Sequence, residues 1–122
     1  MYKVNIKKIE QLLTNYFEGI FYGDVEKLED CFTSNAIIYG DINGEPYKKS
    51  RAEYVEGVEN RQSPNELKEP FKMEIIGVDV IGNVAMAKVH LPMLGYNYYD
   101  YLSLTKIEND WRIVNKIFSN VA

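Results

Sequence analysis

The carboxylate best placed to do chemistry in this chain is Asp100, set between Tyr99 and Tyr101 in the tyrosine-rich run Tyr96 to Ile107. If that run is a strand, alternate side chains share a face, so Asp100 travels with Tyr98, Leu102 and Leu104. A carboxylate on an apolar face is costly unless it is paired or protonated. Protonated, it would donate a proton or a hydrogen bond to a substrate oxygen. Paired, it would meet Lys116, Lys88 or Lys106 from a neighbouring strand. Tyr16 lies on the inward stripe of the first helix, where a buried tyrosine with a satisfied hydroxyl is its plainer role. Together with Tyr54, Asn115 and Lys116, these two would orient a small, partly apolar ligand.

Other chemistries lack their parts. His90 is the single histidine, and it shares strand parity with Met86 and Lys88, which suits a pocket rim or a subunit face. With no second histidine and no cysteine pair, no metal site is expected. Ser103 has no nucleophile-elbow turn around it, and no glycine-rich phosphate loop follows a strand. No cofactor is expected.

The elements that must position these residues follow from periodicity. Apolar residues Ile6, Ile9, Leu13, Tyr16, Phe17, Ile20 and Phe21 recur every three or four positions, which predicts a helix from Asn5, its cap, to about Tyr22. Gly23 ends it and Asp24 caps a short second helix burying Val25, Leu28, Cys31 and Phe32. Ala36 to Tyr39 reads as strand, Asn43-Gly44 as a tight hairpin turn, and Glu45 to Lys48 as the return. Ser50 with Glu53 forms a capping box, so a third helix runs from Arg51 to about Asn60, before a loop from Arg61 to Pro70. Phe71 to Val80, Val84 to Leu91, Tyr96 to Ile107 and Trp111 to Phe118 are strands joined by short turns, with Pro92 to Gly95 breaking the chain between two of them. Short links force an antiparallel meander, and strands this long twist and curl. Helices first and strands last give an α+β fold.

The chain has 122 residues, 46% hydrophobic and 26% charged, which suits one globular domain spanning 1–122. A formal charge of −4 argues against nucleic acid. A lone Cys31 excludes an internal disulfide and suits a reducing compartment. No run is long and apolar enough to span a membrane, and the first residues show no signal peptide, so the cytoplasm is the expected location.

Taken together, the order of elements and several stretches resemble the nuclear-transport-factor-2-like superfamily, and within it the putative lumazine-binding group. The stretches are Tyr16-Phe-Glu-Gly-Ile-Phe-Tyr-Gly-Asp24, Leu28 to Ala36, Val84-Ala-Met-Ala-Lys-Val89, and Asp100-Tyr-Leu-Ser-Leu104 with Lys106, Trp111, Ile113, Val114, Asn115 and Lys116. The resemblance implies a cone-shaped half-barrel of cystatin-like topology, a curved mixed or antiparallel sheet wrapped over three helices. It also implies a pocket between sheet and helices and a homodimer through the sheet. The superfamily includes ketosteroid isomerase, scytalone dehydratase, SnoaL-type polyketide cyclases and members without catalysis. Tyr16 and Asp100 are similar in outline to the tyrosine and acid that bind the substrate oxygen in ketosteroid isomerase. That enzyme's base lies on the strand after the second helix, where this chain reads Ile38-Tyr39-Gly40 and carries Asp41 one residue late, on the opposite strand face. Three functions are thus in view: a small-molecule binder, a cofactor-independent isomerase, dehydratase or cyclase using Asp100, and a non-catalytic dimerisation module. Both faces of the long strands are rich in apolar residues, so which face lines the pocket is left to the structure.

Overall fold

The computed structural model describes residues 2–122. Helix α1 (Tyr2–Tyr22) turns through Gly23 into α2 (Val25–Asp30), followed by β1 (Phe32–Ile42), β2 (Glu45–Ser50), α3 (Arg51–Glu59), β3 (Glu74–Ile81), β4 (Val84–Met93), β5 (Tyr96–Ile107) and β6 (Asp110–Asn120). The strands form one six-stranded sheet in the order β2-β1-β6-β5-β4-β3. Every neighbouring pair is antiparallel except β1 with β6, which run parallel. The sheet curves over the helices, and the α+β architecture expected from the sequence is the one observed.

Local chemistry accounts for most boundaries. Asp24 caps α2, its side chain accepting from the Lys27 N–H at 3.3 Å. The capping box at α3 closes on both sides, the Glu53 N–H donating to Ser50 Oγ at 3.2 Å and the Ser50 N–H to Glu53 Oε1 at 2.9 Å. Asn43 and Gly44 take φ of 53° and 89°, the left-handed pair that a two-residue hairpin needs. Several boundaries differ from expectation. Strand β1 begins at Phe32, not Ala36, so Cys31 and Phe32, expected in the second helix, are its C-cap and the first strand residue, and Val25 is only half-buried. Asn5 does not cap α1, which begins at Tyr2; it sits inside the helix, buried, with Oδ1 accepting from Lys106 Nζ at 3.4 Å. Pro92 lies within β4 opposite Asn97, and the break falls instead on Leu94-Gly95, whose φ values are 54° and 80°. The loop before β3 runs on to Met73, past the expected start at Phe71.

The core lies between α1 and the concave sheet face. Ile9, Leu13, Tyr16 and Ile20 of α1 are buried there, as are Ile38, Val89, Leu91, Leu102, Leu104 and Ile113 from the strands. Each such aliphatic side chain contributes about 1.5–3 kcal/mol on burial. At Gly19, α1 and α2 approach so closely that a Cβ would sit 2.8 Å from Leu28 Cβ. That contact fixes the corner.

One irregularity sets the chemistry of the interior. Along β5 and β6, Ser103 pairs with Asn115 but Leu104 pairs with Ile113, which leaves Val114 as an extra residue in β6. This is a β-bulge. Before it, Trp111 and Ile113 point inward; after it, Lys116 and Phe118 do. Strict alternation from Ile113 would have turned Asn115 and Ile117 inward instead.

Candidate functional site

The bulge delivers an amine to the inner face beside a carboxylate. Asp100 on β5 is 2% exposed, and Lys116 on β6 is 5% exposed. Lys116 Nζ lies 3.8 Å from Asp100 Oδ2, an ion-pair separation longer than a hydrogen bond. Tyr16 Oη donates to the same Oδ2 at 2.5 Å, and Lys116 Nζ donates to Tyr54 Oη at 2.8 Å. Rings surround the ammonium, with centroids at 4.4 Å for Tyr54 and 5.2 Å for both Tyr16 and Phe118. Cation–π attraction offsets part of its desolvation.

Burial decides the protonation preferences. Loss of water pushes the Asp100 carboxyl above its ordinary range, against the opposing pull of the Lys116 charge and the Tyr16 hydrogen bond. Tyr16 is held well above the usual phenol value, first by burial and then by the Asp100 charge, so it stays a donor at neutral pH. The ammonium has three N–H groups and makes one protein hydrogen bond among the described residues. The pair therefore presents an acid or base and a cationic donor, with donor capacity to spare.

Three of these groups, Tyr54, Asp100 and Lys116, line a half-open cavity of about 60 Å³, together with Ile42, Tyr47, Arg61, Leu91, Met93, Tyr98 and Phe118. A larger hollow of about 730 Å³ lies beside the middle of α1, against α2 and the start of β6, among Lys8, Asp24, Lys27, Asp30 and Arg112. It is an open surface depression with charges of both signs, and the buried polar cluster is not part of it.

Of the five residues read from the sequence as ligand-orienting, the structure brings together Tyr16, Tyr54, Asp100 and Lys116. Asn115 is not among them. The bulge leaves it on the outer sheet face, where Nδ2 donates to the Ile37 carbonyl at 3.3 Å. His90 also sits on the outer face, stacked on Tyr99 at 4.3 Å between centroids and 2.5 Å from Asn97 Oδ1. Asp41 points away from the cavity and caps the hairpin, accepting from the Gly44 N–H at 3.3 Å. On the inward side of that stretch is Gly40, where a Cβ would lie 2.3 Å from the Phe118 ring. Among the described residues, that inward side of β1 carries no acid.

Sequence reasoning passed over Arg61, which follows α3 and was read only as the start of a loop. Its Nε and Nη2 are sealed from solvent with no protein acceptor among the described residues. Unsatisfied buried donors cost about 1–3 kcal/mol each, and more when charged. The loop that carries Arg61 is pinned on three sides. Ser63 caps it, its Oγ accepting from the Glu66 N–H at 3.1 Å; the Asn65 N–H donates to the Phe21 carbonyl at 3.0 Å; and Glu69 Oε1 accepts from the Leu94 N–H at 3.0 Å. A basic residue directly after a helix was the signal available in the sequence, and it was a weak one.

A curved mixed sheet packed on one long helix is the fold of several solved NTF2-like proteins. An NTF2-like protein of unknown function from Shewanella baltica matches with a TM-score of 0.88 at 25% identity, over 100% of this chain and 98% of that one. One from Silicibacter pomeroyi matches at 0.86 and 26%, over 99% of each. The sequence family described as "Putative lumazine-binding" matches residues 4–119, and the chain belongs to it. Among curated proteins, Aldolase FrzH of a Cladobotryum species is 26% identical over 103 residues, covering 84% of this chain and 81% of that relative.

Proposed function

We propose that this protein binds a small organic molecule in the cavity walled by Asp100, Lys116 and Tyr54, with Tyr16 holding Asp100 from behind. The observation that carries this reading is the buried Asp100–Lys116 pair itself. A buried ion pair is commonly no more stabilising than apolar residues of the same volume, so its place on a cavity wall supports a binding role over a purely structural one. A cavity of about 60 Å³ is far below the roughly 300–1,000 Å³ of sites for drug-sized ligands. The occupant is a molecule of few atoms, or one that displaces the half-buried Tyr47 and Tyr98. Screening small oxo-compounds and aromatic metabolites by thermal shift should find a stabilising ligand. At a hundredfold excess over Kd it would add about 2.7 kcal/mol. Asp100→Asn should weaken that ligand at least tenfold, and a broad library without a single hit would sink the reading.

The kinship with an aldolase and the raised Asp100 carboxyl favour one second reading: proton transfer next to a carbonyl, without a cofactor. Asp100 as carboxylate would take the α-proton, the C–H electron pair would move into the enolate, and the Lys116 ammonium would hold the resulting oxyanion. Deuterium exchange into a bound ketone, lost in Asp100→Asn, separates this from binding alone.

A homodimer through the sheet belongs to the same reading. Tyr101, Ile117 and Met86 stand about half exposed on the outer face, an apolar patch that a second copy would cover. Sedimentation at twice the chain mass is the expected result. Cys31 is buried with its thiol pushed up to about 12, an inert side chain that suits a cytoplasmic location.

A further inference from the structure

We infer that the cavity takes a small organic carboxylate, gripped by the Nε–Nη2 edge of Arg61, with a carbonyl or hydroxyl oxygen of the same molecule reaching Lys116 and Tyr54. This rests on the small-molecule reading above and names the ligand's chemical class.

Four observations converge on it. The two Arg61 nitrogens without a protein acceptor, Nε and Nη2, are the side-on fork of the guanidinium, the edge whose parallel N–H groups match the two oxygens of a carboxylate. No carboxylate of the described residues forms an ion pair with Arg61. Two acids line a surface depression that Arg61 also borders: Glu53 is committed to the Ser50 N–H, and Glu56 is exposed. The cavity lining holds two cations, Arg61 and Lys116, against one acid, Asp100. On a chain of net charge −4, that local excess is opposite to the protein's overall field and complements one negative charge. Finally, the space of about 60 Å³ is about two waters' share of liquid volume, so it holds part of a small acid and takes the rest only as a neighbouring ring moves aside. The fork is closed to solvent, so the ligand reaches it by displacing the ring of Tyr47 or Tyr98, both half-buried cavity neighbours of Arg61.

The inference separates from its parent by comparing acids with their neutral isosteres on the full chain. Pyruvate, 2-oxobutyrate and acetoacetate would be titrated by calorimetry beside pyruvamide and the corresponding methyl esters. The acids should bind at least tenfold tighter than the neutral partners, and the Arg61 Nε–H resonance should shift on adding acid. Arg61→Gln should abolish the preference for acids, so that each acid and its neutral partner bind alike. Arg61→Lys, which keeps the charge but not the fork, should restore only a minor part. Equal binding of acids and neutral isosteres would overturn the carboxylate assignment and leave the small-molecule reading standing. An acid preference that survives in Arg61→Gln would overturn the role of Arg61. No binding by any compound here or in the wider screen would remove both. Should the Arg61 variants fail to fold, the acid-to-neutral ratio and the Nε–H shift in the unaltered protein decide the matter.

Discussion

The interior of this protein has two ends, and β5 and β6 contribute to both. At one end Leu104, Trp111 and Ile113 join Ile9, Leu12, Leu13 and Cys31 in an apolar cluster, each 7% exposed or less. At the other, a few residues along the same strands, Asp100 and Lys116 face the cavity with Tyr54, and Tyr16 backs Asp100. Between them lies the Val114 bulge. The difference teaches that the solid end supplies stability and the polar end spends some of it. Groups whose charge is disfavoured by burial are held in place by close packing a few residues away.

Four substitutions would break or sharpen that contrast. The largest effect belongs to the solid end: Ile113→Ala removes a fully buried side chain and should cost about 2–5 kcal/mol in denaturant unfolding. A cost below 1 kcal/mol would mean that this end is not the stabilising one.

The polar end should answer to pH instead. Asp100 holds its proton in the folded state over a range in which the unfolded carboxyl, ordinarily near pKa 3.9, has ionised. Within that range the native state binds more protons, so stability falls as pH rises and levels off above the raised value. Asp100→Asn should remove that slope when unfolding is followed from pH 4 to 8. Lys116→Met strips the acid of its cation, so the decline should extend to higher pH, with a total loss of about 1–3 kcal/mol. A pH profile of Asp100→Asn that parallels the unaltered protein would mean that the carboxyl is not held above its usual range.

The smallest effect is expected where α3 begins over the cavity. Ser50→Ala opens the capping box and should cost about 1 kcal/mol by thermal unfolding, without changing the pH profile.

Much of the fold was legible because it is written in local chemistry. The three-and-four spacing of α1, the Asn43-Gly44 turn and the Ser50/Glu53 box each fix structure within a few residues, and all three are present as read. Tyr16 and Asp100 were legible as neighbours only through a family layout, since 84 positions separate them. Asn115 and Lys116 were both assigned to one site although adjacent strand residues face opposite sides. The bulge that chooses between them depends on pairing across β5, which periodicity within one strand does not report. Arg61 was hidden for a related reason: a loop residue's direction is set by long-range anchors, here Phe21 and Leu94, that leave no pattern around position 61.

The extra residue at Val114 has a practical consequence for anyone placing this chain beside its relatives. It acts as a half-period phase shift, so an alignment carried without a gap through this point into a relative lacking it would set interior positions against exterior ones. The Lys116 amine would then be matched to a solvent-facing residue. Strand length up to the shift, more than the identity of any one residue, determines which side chains the interior receives.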